Sequence, residues 1–347
     1  MPVTASDVAR KLGVSRQSVS KVLVGGKTNI RVSDDLAKRI RTVADEMGYR
    51  PSMAARMIST GRTGSIDLLM SHLPGSSRLS PAMIRGIHAE LARHDMQLTI
   101  SQLPDLSPGS HAKLPKILRE RSADGLLINF THHVPDAVPQ LIDKHQIPAV
   151  WLNTKQGRHC VYADEITAYE RATQHLLDLG HRKIAFYISS VAGHFSEADR
   201  AAGYAAAMGR AGLSPVIYRA EAPEHADPHS DDRQRRARAY LAGPDRPTAI
   251  VAYTAIDIVV LSIAAAELGL RLGHELSLVG LGEESTSITG SSLTQVVIRQ
   301  DELGRAGARR LLRLIESPGD ASESSPDRLL EAELFIGRST GPPVDPS

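Results

Sequence analysis

Two groups of residues in this 347-residue chain have types and spacing suited to chemistry. The first is a concentration of charge. Residues 1–62 carry twelve Lys/Arg against five Asp/Glu, a net +7, while the whole chain is only +2. A basic head on a mildly acidic body suits a protein whose head alone meets phosphate. The second group follows a series of short apolar runs: Ser71, His72, Asn129, Asn153, Ser189, Ser190, Thr254, and Gly282 with Glu283. Amides, hydroxyls and one acid suit a neutral, hydroxyl-rich small molecule, although each residue taken singly is more simply a loop residue that caps a helix. Arg200, in ADRAAGY, stands early in a helical stretch, where a positive charge opposes the helix dipole. It reads either as a salt bridge or as a planar fork clamping a ligand's oxygens.

Signatures of catalysis are missing from the sequence. There is no G-x-S-x-G elbow, H-E-x-x-H pair, P-loop or G-x-G-x-x-G after a strand. His132-His133 has no third ligand nearby, and the run His225, Asp227, His229, Asp231, Asp232 reads as a solvated Pro- and Ala-rich turn. We therefore expect no enzyme, no metal and no cofactor. Cys160 stands alone and cannot form an internal disulfide, which fits a reducing compartment and a small apolar filler. The run after Met1 has no apolar export segment, and no stretch reaches eighteen apolar residues, so the expectation is a cytoplasmic protein with no membrane partner.

The elements that must position these residues fall into two kinds. Residues 4–48 read as three short helices. Thr4 caps the first, with Asp7 completing a capping box. A Gly13-Val14-Ser15 turn leads into the second, and Ala9, Leu12, Val14, Val19 and Val22 form the seam between them. This is the plan of a helix-turn-helix, whose second helix enters the DNA major groove; a protein-docking module is the plainer alternative. Ser33 caps the third helix, and Leu36, Ile40, Val43 and Met47 recur at helical spacing. Residues 52–60 then form about two helical turns, too short to be stable alone in water.

From residue 65 the texture becomes alternating strands and amphipathic helices, with strands expected near 66–70, 97–101, 125–129, 149–152, 184–188, 216–218, 249–253 and 276–281. That alternation implies parallel sheets covered on both faces, and eight units suit two lobes better than one. Ligands in such folds bind beyond the carboxyl ends of the strands, which is where the second group of residues lies. With 4% aromatic residues, aliphatic cores are expected. Residues 317–327 read as a polar loop and 341–347 as a frayed tail.

In their order, DVARKLGVSRQSVSKVL, RVSDDLAKRIRTVADEMGYRPSMAAR, ADGLLIN, IPAVWLN, HLLDLGHRKIAF, RAAGY and ELSLVG resemble the lactose and galactose repressor family of bacterial transcription regulators over nearly the whole chain. The resemblance implies an all-α helix-turn-helix domain (1–50), a hinge helix (51–62) and a two-lobed α/β core like periplasmic sugar-binding proteins (63–340). Lobe 1 would span about 63–163 and 292–325, and lobe 2 about 164–291 and 326–340. It further implies a homodimer that reads a palindromic DNA operator as a repressor of a catabolic operon, under control of a small sugar-like effector. The recognition helix would begin at Ser15, with Arg16 and Gln17 facing base edges and Ser18, Ser20 and Lys21 on bases or phosphates. Thr4, Asn29, Arg31 and Tyr49 would meet phosphates. Ile58 matches the leucine that wedges into the minor groove, with Ala55 beside it. Effector positions would be Ser80, Asn129, Asn153, Ser190, Arg200, Thr254 and Glu283.

The departures are informative. Val24 replaces the usual Asn after VL, and the GGKTNIR loop is slightly longer than common. Thr254-Ala255 replaces Asn-Asp. Gly282 stands where the family aspartate grips sugar hydroxyls, leaving Glu283 or Glu284 as longer substitutes. An activator on the same scaffold, or a small-molecule-binding protein or enzyme built on the two-lobed core, are the alternative readings.

Overall fold

The computed structural model describes residues 3–25, 29–72, 77, 79–103, 118, 120, 122–130, 134–155, 158–189, 193–220, 232–282, 293–317 and 328–344. The head is three helices: α1 (Ala5–Leu12), α2 (Arg16–Leu23) and α3 (Asp34–Glu46). The expected capping box forms, with the Thr4 and Asp7 side chains bonding each other's backbone N–H. Gly13 takes the left-handed φ of 67° that the turn requires, a conformation open to glycine at little cost. Ser15 and Ser33 cap α2 and α3. Val8, Ala9, Val19, Ile40 and Ala44 are buried together, with Leu12, Val14, Val22, Leu36, Val43 and Met47 packed around them. The hinge segment forms α4 (Met53–Thr60), ended by Gly61 at φ 72°.

Two six-stranded sheets follow. Sheet A has the order β11-β5-β4-β3-β1-β2, made of β1 (Ser65–Ser71), β2 (Gln97–Leu103), β3 (Gly125–Asn129), β4 (Ala149–Leu152), β5 (Cys160–Ala163) and β11 (Arg328–Leu330), all parallel. Sheet B has the order β12-β10-β9-β8-β6-β7, from β6 (Ile184–Ile188), β7 (Val216–Arg219), β8 (Ala249–Ala252), β9 (Ser277–Gly282), β10 (Thr294–Val297) and β12 (Glu333–Phe335). Only β12 runs antiparallel there. The central strands are buried on both faces, which explains why they read as continuous apolar runs rather than as alternation.

Helices cover both faces of each sheet. On sheet A, α5 (Pro81–Ala92) and α11 (Gln300–Glu316) pack on one side and α6 (Ala137–His145) on the other. On sheet B, α7 (Glu165–Asp178) and α8 (Phe195–Arg210) oppose α9 (Asp232–Ala242) and α10 (Ala255–Glu267). The α5 and α11 backbones meet at two glycines. A Cβ on Gly86 would lie 2.0 Å from the Asp301 carbonyl oxygen, and one on Gly304 2.4 Å from that of Met83. No other residue allows this approach, so the two helices are locked as one piece.

Three expectations need correction. The chain returns between the lobes later than the expected 292 and 326. Residues 294–297 still belong to sheet B, and 328–330 still belong to sheet A, where β11 pairs with β5. The switch points are therefore near 298 and 331, set by strand pairing that local sequence does not carry. Strands β5, β10, β11 and β12 and helices α6, α9 and α11 were not foreseen; the four strands span three or four residues each. The cores are not uniformly aliphatic either. Lobe 2 gathers Tyr169, Phe186, Tyr204 and Tyr253 on one face of sheet B, with Phe186 stacked on Tyr204 at 5.6 Å. Cys160 is buried in β5, as a filler should be.

Candidate DNA-binding face and effector cleft

On the head, Val19 has no exposed surface, so α2 is fixed in rotation. Its other face then carries Arg16 and Gln17, both exposed, with Ser18, Ser20 and Lys21 half-buried at its flanks. Ser15 is committed to the cap: its hydroxyl accepts from the Ser18 N–H at 3.0 Å and meets the Ser18 hydroxyl at 2.8 Å. The Thr4 hydroxyl is likewise held by Asp7 at 2.6 Å. Asn29 and Arg31 are exposed on the approach to α3, and Tyr49 packs partly into the head core. On α4, Ile58 is 88% exposed, the most exposed large hydrophobic residue among those described. Ala55 lies in the same helix.

In the core, several expected ligand residues at the strand ends have structural duties. Ser80 caps α5, accepting from the Met83 N–H at 3.1 Å. Thr254 caps α10 in a reciprocal box with Asp257. Asn129 is fully buried at the end of β3, its amide donating to the Met83 sulfur at 3.4 Å. Asn153 sits at φ 55°, a left-handed conformation asparagine tolerates, and its carbonyl accepts from His194 Nε2 at 2.8 Å. Ser190, Glu283 and Glu284 lie outside the described residues, as do His132-His133 and the 225–231 run. The neighbouring Ser189 donates to the buried Asp257 carboxylate. Burial pushes the Asp257 carboxyl above its usual range, against the pull of Ser189 and Thr254.

Arg200 makes the salt bridge that was one of its two readings. Its guanidinium makes a two-pronged pair with Glu165, Nε at 2.8 Å and a terminal nitrogen at 2.9 Å, while its other terminal nitrogen donates to the Tyr253 carbonyl at 2.5 Å. Both partners are buried, and the guanidinium lies 5.2 and 5.0 Å from the Tyr169 and Tyr253 ring centres. Burial by itself would lower the Arg200 pKa; the facing Glu165 carboxylate more than offsets this and holds it above the ordinary value. The fork is thus closed on a carboxylate of its own lobe. Sequence reasoning missed Glu165, because its place opposite Arg200 depends on how α7 packs on α8.

A second cluster went unforeseen. Lys155, after β4 of lobe 1, reaches Asp199 of α8 in lobe 2 at 2.5 Å. Its ammonium also lies 5.4 Å from the Tyr162 ring centre and 5.1 Å from that of Phe195. Tyr162 and Phe195 meet edge to face at 5.6 Å across the lobes. Together with His194 on the Asn153 carbonyl, these contacts tie the two lobes to each other. Gly282 is also accounted for: a Cβ there would lie 2.6 Å from the Gln295 side-chain oxygen, so the Gln295 amide fills the space. Among the described residues no group of three or more His, Cys, Asp or Glu could hold a metal. Nor, among them, is any helix long and apolar enough to cross a membrane.

Residues 4–52 match the family described as bacterial regulatory proteins, lacI family, and residues 173–340 match a periplasmic binding protein-like domain. The head thus matches the lacI family of bacterial regulatory proteins. The chain is a DNA-binding transcriptional regulator with a helix-turn-helix head. The HTH-type transcriptional regulator PtxS of Pseudomonas aeruginosa is 28% identical over 98% of this chain and 96% of its own length. The regulator AglR of Rhizobium meliloti is 26% identical over 100% and 97%. Among solved structures, the lac repressor dimer bound to operator and the anti-inducer ONPF shares the fold with a TM-score of 0.78, at 22% identity, over 98% of this chain and 100% of that one. The complex of the regulator CelR with cellobiose gives a TM-score of 0.63 at 23% identity, over 97% and 99%.

Proposed function

We propose that this protein is a lacI-family, effector-controlled repressor of a catabolic operon that binds a palindromic operator as a homodimer and catalyses no reaction. The observation that carries the reading is the rotation of α2. Burial of Val19 leaves Arg16 and Gln17 exposed at the helix start, where a recognition helix presents its first residues to base edges. Arginine matches guanine O6/N7 and glutamine matches adenine N6/N7 in the major groove. Ser18, Ser20, Lys21, Asn29, Arg31 and Tyr49 are suited to backbone contacts, and the exposed Ile58 is suited to prying open a central base step. Thr4 and Ser15 contribute chiefly as caps that aim α1 and α2.

Dimerisation is supported by Ile256, Val259 and Ile263, exposed at i, i+3 and i+7 along α10. A self-complementary apolar stripe of this kind suits a two-fold interface. An effector site between the lobes, at the strand ends, would take a small polyhydroxyl molecule such as a sugar. Lys155, Asp199, Tyr162 and Phe195, where the lobes meet, would read whether the lobes are closed, and a coupling of ~1–3 kcal/mol between effector site and DNA is typical of such regulators. Such a protein works in the cytoplasm, where its DNA is.

The test is selection of genomic fragments by the full-length chain, followed by a gel-shift titration of an enriched duplex at physiological salt. We expect inverted half-sites and binding far tighter than to random competitor. Equal binding to both would overturn the reading.

A further inference from the structure

We infer that the α5–β2 turn of lobe 1, through Asp95, is a positioning device that aims the exposed Ile58 of the hinge helix; this rests on the DNA-binding reading above. Residues 56 and 58 lie about 200° apart around a helix, so a contact that fixes Arg56 against the core turns Ile58 outward. That contact exists. The Arg56 guanidinium meets the Asp95 carboxylate at 3.4 Å, and the side chain lies over Gly64, its Nη1 3.0 Å from where a Cβ would stand. Asp95 holds the left-handed φ of 51° at the apex of the turn between α5 and β2.

Two more contacts hold α4 and the residues just after it. Ser59 donates to the Gly25 carbonyl of the head at 2.8 Å, and Arg62 donates to the Ile315 carbonyl in the last turn of α11 at 3.2 Å. Directly below, the Asp124 carboxylate accepts from the Thr63 and Gly64 N–H groups at 2.8 and 2.9 Å, so the exit from the hinge is itself anchored. Arg56, Thr60, Arg62, Asp95 and Asp124 line one small cleft between hinge and lobe 1. One wall of this socket is the turn that leaves α5 and another is the last turn of α11, and these two helices are the glycine-locked pair whose other ends lie at Ser80 and near the lobe crossing at 298. A change of lobe angle felt at the crossing therefore arrives at the socket as a rotation of one rigid piece, and Asp95 passes it to Arg56.

Asp95 is the decisive position, because simple charge predicts the opposite sign. Removing a carboxylate near DNA should strengthen binding to phosphate. If Asp95 instead aims Ile58, Asp95→Asn weakens binding, while asparagine still accepts the left-handed backbone. The probe is a duplex enriched from a random pool by the wild-type full-length chain, read by fluorescence anisotropy at constant salt. We expect Asp95→Asn to raise Kd roughly five- to tenfold over two protomers, as loss of one exposed ion pair in each allows. In an Ile58→Ala background the same change should move Kd less than about twofold, because the two residues act as one unit. Unchanged or tighter binding by Asp95→Asn, or an equal loss in both backgrounds, overturns the inference. Should Ile58→Ala by itself leave Kd unchanged, the wedge reading of the function falls instead. Unaltered thermal unfolding of each variant establishes that the shifts are not loss of fold.

Discussion

At the scale of single residues, Arg16 and Arg200 show how differently one side chain can be used. Arg16 stays exposed because Val19 is drawn into the head core. Replacing it by alanine should cost about 1–3 kcal/mol of operator affinity and relax the preference at one base pair in each half-site, which titration of single-base operator variants will read. Arg200 is closed on Glu165 in a buried pair. Removing one partner of such a pair leaves an uncompensated buried charge, so Glu165→Ala should destabilise lobe 2 by about 3–5 kcal/mol in urea unfolding, whether or not a ligand is present. A loss under 1 kcal/mol would mean that the pair is dispensable. The identity of Arg200 was plain in the sequence, and so were its two possible uses. The choice between them was not, since Glu165 lies 35 positions away on another helix.

At the scale of elements, local chemistry was the best guide. The caps at Thr4, Ser15, Ser33 and Thr254 all form, because a cap is a contract between residues three apart. Ser33→Ala should cost about 1 kcal/mol and lower the melting temperature of the head by a few degrees, seen as a shift in its helical signal on heating. Other elements are held by distant partners. His181 is buried between the Thr248 hydroxyl at 2.9 Å and the Gly341 carbonyl at 2.9 Å, pinning the C-terminal segment to lobe 2. Burial lowers its pKa below 6.5, against a raising hydrogen bond to Gly341, and burial lowers that of His175 too. The unfolded chain therefore binds more protons than the folded one between the lowered values and 6.5. Their stabilisation is complete above that point and is lost as pH falls through the lowered values. Melting temperature should thus drop on acidification below 6.5, and the drop should be smaller for His181→Asn; equal slopes would reject His181 as a source.

At the scale of the whole molecule, charge and apolar surface divide the labour. The +7 head supplies phosphate contacts, so operator affinity should fall steeply with salt, by a log–log slope near 0.9 per phosphate neutralised. The exposed stripe on α10 is the surface proposed for association. Ile263→Glu, at a position 48% exposed in the single chain, should leave folding intact but shift sedimentation from dimer to monomer and weaken operator binding with it. A monomeric wild type would remove the basis for that assignment.

What the sequence determined by itself is whatever depends on neighbours in the chain. The three head helices, their caps, the α4 segment ending at Gly61 and the central strands were legible, since turn chemistry and apolar period act over a few residues. The tertiary structure alone decided where the chain crosses between lobes, that residues 294–297 pair in sheet B and 328–330 in sheet A, and that Arg200 faces Glu165. It also placed Lys155 between two aromatic rings and Arg56 against Asp95. Each of those facts is a meeting of residues far apart in sequence. Such meetings are set by strand pairing and helix packing, whose energies no local window contains.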